Sequence, residues 1–209
     1  MASILIHLSV AKKLNERLNY NEKEILLGSI APDIRKQLGQ DKTVSHFQEA
    51  DDDIPNLKKF LDKYRDKLND NFILGYYIHL FTDYLWFKYF MAGLFYKDTV
   101  KLLDGSVLSL NEDEFLKLIY NDYTNMNIQL IDEYSLDLSL FYEPLVVPKV
   151  KMDEIPIEKL QLLLDDASVI IENTKFTKEY VFNLDNVKQF IEMATNIIYN
   201  NIYELLDGK

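Results

Sequence analysis

Phe72-Ile-Leu-Gly-Tyr-Tyr-Ile-His-Leu-Phe-Thr-Asp-Tyr-Leu-Trp86 is apolar on almost every side, yet it carries His79 and Asp83. A run of this kind reads as a helix buried on most of its faces. At a spacing of four residues, His79 and Asp83 share one face, so an imidazole nitrogen and a carboxylate oxygen can converge on one point. A metal ion at that point would account for two polar side chains in a greasy helix. The apolar character of residues 72–96 raises a membrane span, but His79, Asp83 and Lys88 interrupt it. Charges at bilayer depth cost about 3 kcal/mol or more. No transmembrane segment is expected, and the run reads as the central helix of a packed domain.

The chain around it has 209 residues, 48% hydrophobic and 27% charged, enough to bury a sizeable core as one domain over residues 1–209. It has no cysteine. Thiolate zinc sites and disulfides are therefore excluded, and a transition-metal site must be built from histidine and carboxylate. The opening Met1-Ala-Ser-Ile-Leu-Ile-His7 lacks the pattern of a secretion signal, which predicts a cytoplasmic protein. A net charge of −11 argues against a nucleic-acid backbone or an anionic membrane surface as the main partner. A small anionic substrate held at a metal stays compatible with that charge, because a local cation overrides the global field.

Helical periodicity recurs along the chain. Ser3 caps a first helix whose inner stripe runs His7, Ala11, Leu14, Leu18. Asn21 and Glu24 form a capping-box pattern for a short helix over 22–30 that Pro32 ends, with Asp33 directly after. Residues 35–43 read as a surface loop leading to Val44-Ser-His-Phe47. Asp51-Asp-Asp53 reads as a solvated acidic loop, since it lacks the glycine and distal glutamate of an EF-hand. Pro55 opens a helix to about Leu68, and the central helix is expected to reach Tyr96 in one or two pieces, with Gly93 as a potential break.

In the second half, Asp104-Gly105 signals a turn, and Asn111 with Glu114 starts a helix that runs into the polar, aromatic stretch 120–127. Residues 136–151, with Pro144 and Pro148, read as an extended connection. Pro156 begins a helix to about Glu172, and Asp185 caps a last helix to about Leu206. Lys175 to Leu184 fits either an extended segment or a loop. Short turns between many helices predict an all-α, multi-helix bundle.

The three histidines, His7, His46 and His79, all fall in the first eighty residues, beside Asp33 and Asp83. Taken singly, His7 is most simply a core histidine, Asp33 a turn aspartate and Asp122 an exposed helical carboxylate. Taken together, the five inward-facing residues point to a metal centre, with Asp122 an additional candidate ligand. No adjacent His-Asp pair occurs, which sets aside an HD-type phosphohydrolase.

Four motifs in order, namely His7 in the first helix, Gly28-Ser-Ile-Ala-Pro-Asp33, Ser45-His-Phe47 and Leu74-Gly-Tyr-Tyr-Ile-His-Leu-Phe-Thr-Asp83, resemble the bacterial zinc-dependent phospholipase C family, related in fold to P1-type nucleases. The motifs lie in residues 1–90, leaving 91–209 as helical completion and substrate side. The resemblance implies a phospholipase C / P1 nuclease-type fold in which Asp33, His46, His79 and Asp83 surround one zinc or other divalent transition metal. Asp83 would also reach a second ion that His7 helps to hold. It implies hydrolysis of a small phosphoester or lipid head group by metal-bound hydroxide, with Asp33 and Asp83 catalytic. The family's third site, which uses later histidines, is expected to be missing because none follows His79. Its terminal-amine ligand is likewise not expected. The alternative reading is a metal-stabilised helical binding module without catalysis.

Overall fold

A computed structural model describes the chain except residues 51, 52, 97, 173, 175, 176, 208 and 209. Asp51 and Asp52 of the acidic triplet, and the first two residues of the 175–184 stretch, therefore lie outside the described residues. Helix α1 (Ile4–Leu18) begins where the Ser3 hydroxyl accepts the Ile6 N–H (3.4 Å) and ends at Asn19, whose φ of 57° turns the chain away. Helix α2 (Glu22–Gly28) is capped by Asn21, but the Glu24 carboxylate is taken by Asn71, so only half of the capping box forms. A 3-10 turn at Ala31–Asp33 leads into the short α3 (Ile34–Gln37), and α4 (Thr43–His46) is one turn. Helix α5 (Leu57–Tyr64) is capped by Asn56 rather than opened by Pro55.

Helix α6 (Asn71–Leu85) is the hub, started by Asp70, which accepts the N–H groups of Phe72 and Ile73. It packs on α1, α2 and α5 and on the last helix of the chain. Apart from Tyr84, every side chain from Phe72 to Leu85 is buried. Each such Leu, Ile or Phe contributes about 1.5–3 kcal/mol of burial. Where α6 crosses α2, Gly75 and Gly28 face each other backbone to backbone, and a Cβ on either would run into a carbonyl of the opposite helix. The sequence expectation of a helix to Tyr96 is corrected. The chain widens into a π turn over Trp86–Phe90, then a 3-10 turn at Met91–Gly93. The buried Trp86 ring stacks on Phe90 (4.1 Å), and both meet Phe182 and Phe190, which holds that widened turn.

Strands β1 (Phe95–Tyr96), β2 (Thr99–Lys101) and β3 (Val107–Ser109) then form a small antiparallel meander closed near Gly105 at φ 86°. Helix α7 (Glu112–Tyr134) starts from a complete capping box. The expected extended connection after residue 136 contains one helical turn, α8 (Ser139–Tyr142). Its continuation is tied down by the buried Glu154, which accepts from the Tyr64 hydroxyl (2.6 Å) and Lys63 (2.7 Å). Helix α9 (Leu160–Glu172) follows a 3-10 turn, and α10 (Leu184–Asp207) is capped by Asn183, not Asp185. The architecture is all-α apart from the meander. Among the described residues, no helix is long and apolar enough to cross a membrane.

Candidate metal centre

Four local devices bring the five sequence-predicted residues together. His7 lies on the buried face of α1, and the Pro32 turn holds Asp33 at the head of α3. His46 ends α4, whose next residue, Phe47, adopts a φ of 55° and anchors on Phe60 and Tyr76. His79 and Asp83 share one face of α6. His7, His46, His79 and Asp83 are fully buried, while the Asp33 side chain is 15% exposed.

Backbone carbonyls fix the imidazoles. His79 Nδ1 lies 2.8 Å from Ser29 O and His46 Nδ1 3.1 Å from Lys42 O. A carbonyl only accepts, so both Nδ1 atoms carry the proton and donate, which leaves both Nε2 atoms bare in the neutral rings. Those atoms face each other at 3.1 Å. His46 Nε2 is also 3.6 Å from Asp33 Oδ1 and 3.6 Å from Asp83 Oδ2, and His79 Nε2 is 3.6 Å from Asp83 Oδ2. Ligands bonded at about 2.0–2.2 Å to a tetrahedral zinc stand roughly 3.3–3.6 Å apart. Four lone-pair atoms at such spacings repel one another unless a cation lies among them.

Asp83 divides its two oxygens. Oδ2 faces His46 and His79, whereas Oδ1 accepts the Ala2 N–H (2.8 Å) and lies 3.4 Å from His7 Nε2. The His7 ring stacks on His79 (3.9 Å between centroids). Neither ring nitrogen of His7, nor Asp33 Oδ1, nor Asp83 Oδ2, has a hydrogen-bond partner among the described residues. Leaving such groups unmet costs about 1–3 kcal/mol each, and a bound divalent ion removes that cost. Two groups, Asp33–His46–His79 and His7–His79–Asp83, offer atoms mutually within 4.8 Å, and the donor set of nitrogen and oxygen suits zinc or a related divalent metal.

Electrostatics prepare the same protonation state. Burial lowers the His79 pKa to about 3, aided by His7 and opposed by Asp33 and Asp83, so the ring is neutral at physiological pH. Burial alone would raise the Asp33 carboxyl, but His46, His79 and His7 outweigh it and hold it at about 2. Burial likewise disfavours the Asp83 anion, yet His7, His79 and the chain's amino group hold that carboxyl well below its usual range.

Neutral His79 thus contributes stability above the unfolded pKa of about 6.5, and this is lost as pH falls from there towards 3. We expect urea denaturation of the metal-free protein to show a loss of about 3 kcal/mol between about pH 7.5 and 4.5. An unfolding free energy that stays flat across that interval would contradict the buried neutral ring.

Asp122 is the correction. It is fully buried, not exposed, but its oxygens accept the N–H groups of Tyr180 (2.9 Å), Val181 (2.7 Å) and Phe182 (3.2 Å) and the Asn121 amide. It belongs to neither ligand group. The carboxylate staples the extended segment before α10 onto α7, carrying Val181 and Phe182 into the core. Asp122→Ala should destabilise by about 3 kcal/mol in urea titrations, while elemental analysis finds the metal per folded chain unchanged.

Sequence reasoning missed the start of the chain and the opposite wall. The Met1 amino group lies buried beside Asp83 and Asp33. Burial lowers its pKa against the pull of those carboxylates. Met1 O accepts the Tyr123 hydroxyl (2.9 Å). A cavity of about 270 Å³ opens against Met1, Ala2 and Asp33, walled by Tyr123 of α7 and by Leu163 and Ala167 of α9. Asp33, the one partly exposed member of the five, is where that cavity meets the cluster.

Residues 1–101 match the family model described as zinc dependent phospholipase C, and all five converging residues lie in that stretch. The all-α architecture agrees with that type of fold. No curated protein and no solved structure matches the chain.

Proposed function

We propose that this protein is a metal-dependent hydrolase of phosphoesters. The observation that carries the reading is the convergence of His46 Nε2, His79 Nε2, Asp33 Oδ1 and Asp83 Oδ2, with the two carboxylate oxygens buried and unmet. Asp33, His46, His79 and Asp83 would hold one divalent ion, and His7 with Asp83 Oδ1 would offer a place for a second. Such an ion lowers the pKa of a bound water and neutralises charge growing on a phosphoryl oxygen.

The chain's own residues do the rest. The Ser29 and Lys42 carbonyls hold the two rings in the tautomer that presents Nε2, which fixes the direction of both donors. Asp83 keeps its negative charge inside the core, and the Ala2 N–H orients its second oxygen. Asp33 lies on the cavity side, where a substrate phosphate would arrive and where a carboxylate can accept a proton from attacking water. Tyr123, Leu163 and Ala167 exclude bulk water from the far wall.

The test is elemental analysis of the purified protein, paired with hydrolysis of p-nitrophenyl phosphate and bis-p-nitrophenyl phosphate before and after chelation. At least one zinc-type ion per chain and chelator-sensitive hydrolysis of either ester are expected. A protein that takes up no such ion would sink the proposal. Bound metal without cleavage of any ester would instead identify a metal-stabilised binding module.

A further inference from the structure

The cavity beside Asp33 carries one cationic side chain, Lys36, and its placement bears on which phosphoesters the site accepts. Lys36 follows Asp33 by three residues through the 3-10 turn into α3, so the two side chains emerge on neighbouring positions of one helical surface. Its Nζ donates to the Tyr120 hydroxyl (3.1 Å) and lies over the Tyr120 ring, 5.6 Å from its centre. That bond leans the side chain across the cavity towards α7. Among the described residues, no carboxylate lies within ion-pair distance of Lys36, although Asp33 and Asp83 attract its charge from farther away.

Charge balance decides what that lysine can serve. With a single divalent ion among Asp33, His46, His79 and Asp83, the two negative charges of Asp33 and Asp83 are offset. A phosphodiester brings a single negative charge to the neutralised centre, whereas a phosphomonoester brings about two at neutral pH. The additional charge of the monoester needs an additional cation within the same cavity, and Lys36 is the cationic side chain that lines it, beside the Met1 amino group, whose pKa burial lowers. A head group that is itself cationic would meet Lys36 as a like charge. Asp166 of α9 is the second acidic residue lining the cavity, besides Asp33.

Resting on the proposed phosphoester chemistry, we infer that the cavity selects the dianionic phosphate of a phosphomonoester, with Lys36, held by Tyr120, as the specificity-determining residue. Lys36 does not touch the reacting water in this assignment. It meets the phosphoryl oxygen that a diester would carry esterified.

The experiment measures equilibrium binding by calorimetry at about pH 8, on the full chain supplied with zinc, using one probe with no ester bond and one methyl ester whose integrity is checked by methanol release. Phenylphosphonate is a dianion there, and its monomethyl ester is a monoanion of nearly the same shape. Phenylphosphonate should bind about tenfold more tightly than the ester. Lys36→Gln should bring that ratio close to one, and Lys36→Arg should restore most of it. A merely structural role for Lys36 would lower both affinities together and leave the ratio alone, which would overturn the assignment. A wild-type ratio near one, or no binding of either probe, would also overturn it. Zinc content is measured on the same samples, so failure to take up metal counts against the hydrolase reading, while the probe ratio counts separately for or against Lys36.

Discussion

Replacing Asp83 by asparagine should lower zinc affinity at least about 100-fold and remove any metal-dependent hydrolysis. The metal-free protein should also lose stability at neutral pH, because the fold holds that carboxyl well below its usual range. The two halves of this expectation follow from one geometry. In the metal-free state Asp83 is an ionised group buried among three imidazoles, with the Ala2 N–H its one hydrogen-bond donor among the described residues. Asparagine retains an oxygen for that N–H but gives up a charge that His7, His79 and the amino group favour beyond the cost of burial, so the fold loses stability as well. In the metal-bound state the same carboxylate faces His46 and His79 with one oxygen and His7 with the other, and an amide oxygen has no full charge to offer either position. Thermal unfolding with and without zinc separates the cases. The wild type should gain stability with zinc, by about 2.7 kcal/mol at a hundredfold excess over the dissociation constant, and the variant should gain at most about 0.4 kcal/mol at that concentration. A variant that unfolds early without metal, yet still responds to zinc, would assign Asp83 a structural role and move the centre elsewhere.

The five converging residues were legible because their chemistry is conspicuous in this sequence. Histidine occurs three times in 209 residues, and a His-x-x-x-Asp spacing inside an apolar run has few structural uses. Asp122 shows where such reading stops. A buried carboxylate looks the same in a sequence whether it receives a metal or three backbone N–H groups, and the donors at Tyr180, Val181 and Phe182 are nearly sixty residues away. The cavity is long-range in the same sense, since Asp33 meets Leu163 and Ala167 only once α9 folds back over α3. Helix boundaries failed where side chains overrode local pattern. The expected run to Tyr96 is helix-compatible residue by residue, but packing of Trp86 and Phe90 against Phe182 and Phe190 opens the π turn. Caps were read well where one polar residue competes, as at Ser3 and Asn111, and misplaced where Asn183 and Asp185 stand close together.

Gly75 connects the fold to the site more tightly than any ligand does. A Cβ at this position would collide with the Ile25 carbonyl oxygen and stand 3.0 Å from both Gly28 Cα and Ser29 N. All three obstacles are backbone, so no side-chain rotation relieves them and α2 must move away from α6. Overpacking of a core typically costs about 1–3 kcal/mol, and a backbone obstacle belongs at the upper end. Gly75→Ala should therefore destabilise by about 3 kcal/mol, or roughly 6–12 °C in melting temperature for a chain of this size. The displaced segment includes Ser29, whose carbonyl holds His79 Nδ1, so the variant should also bind zinc about tenfold more weakly even where it is folded. Gly93→Ala is the matched control, because a Cβ there meets nothing within 4 Å. It should stay within about 0.5 kcal/mol of the wild type and keep its zinc affinity. Equal stability for the two variants would mean that the α2–α6 crossing is not the close backbone contact on which the position of His79 depends.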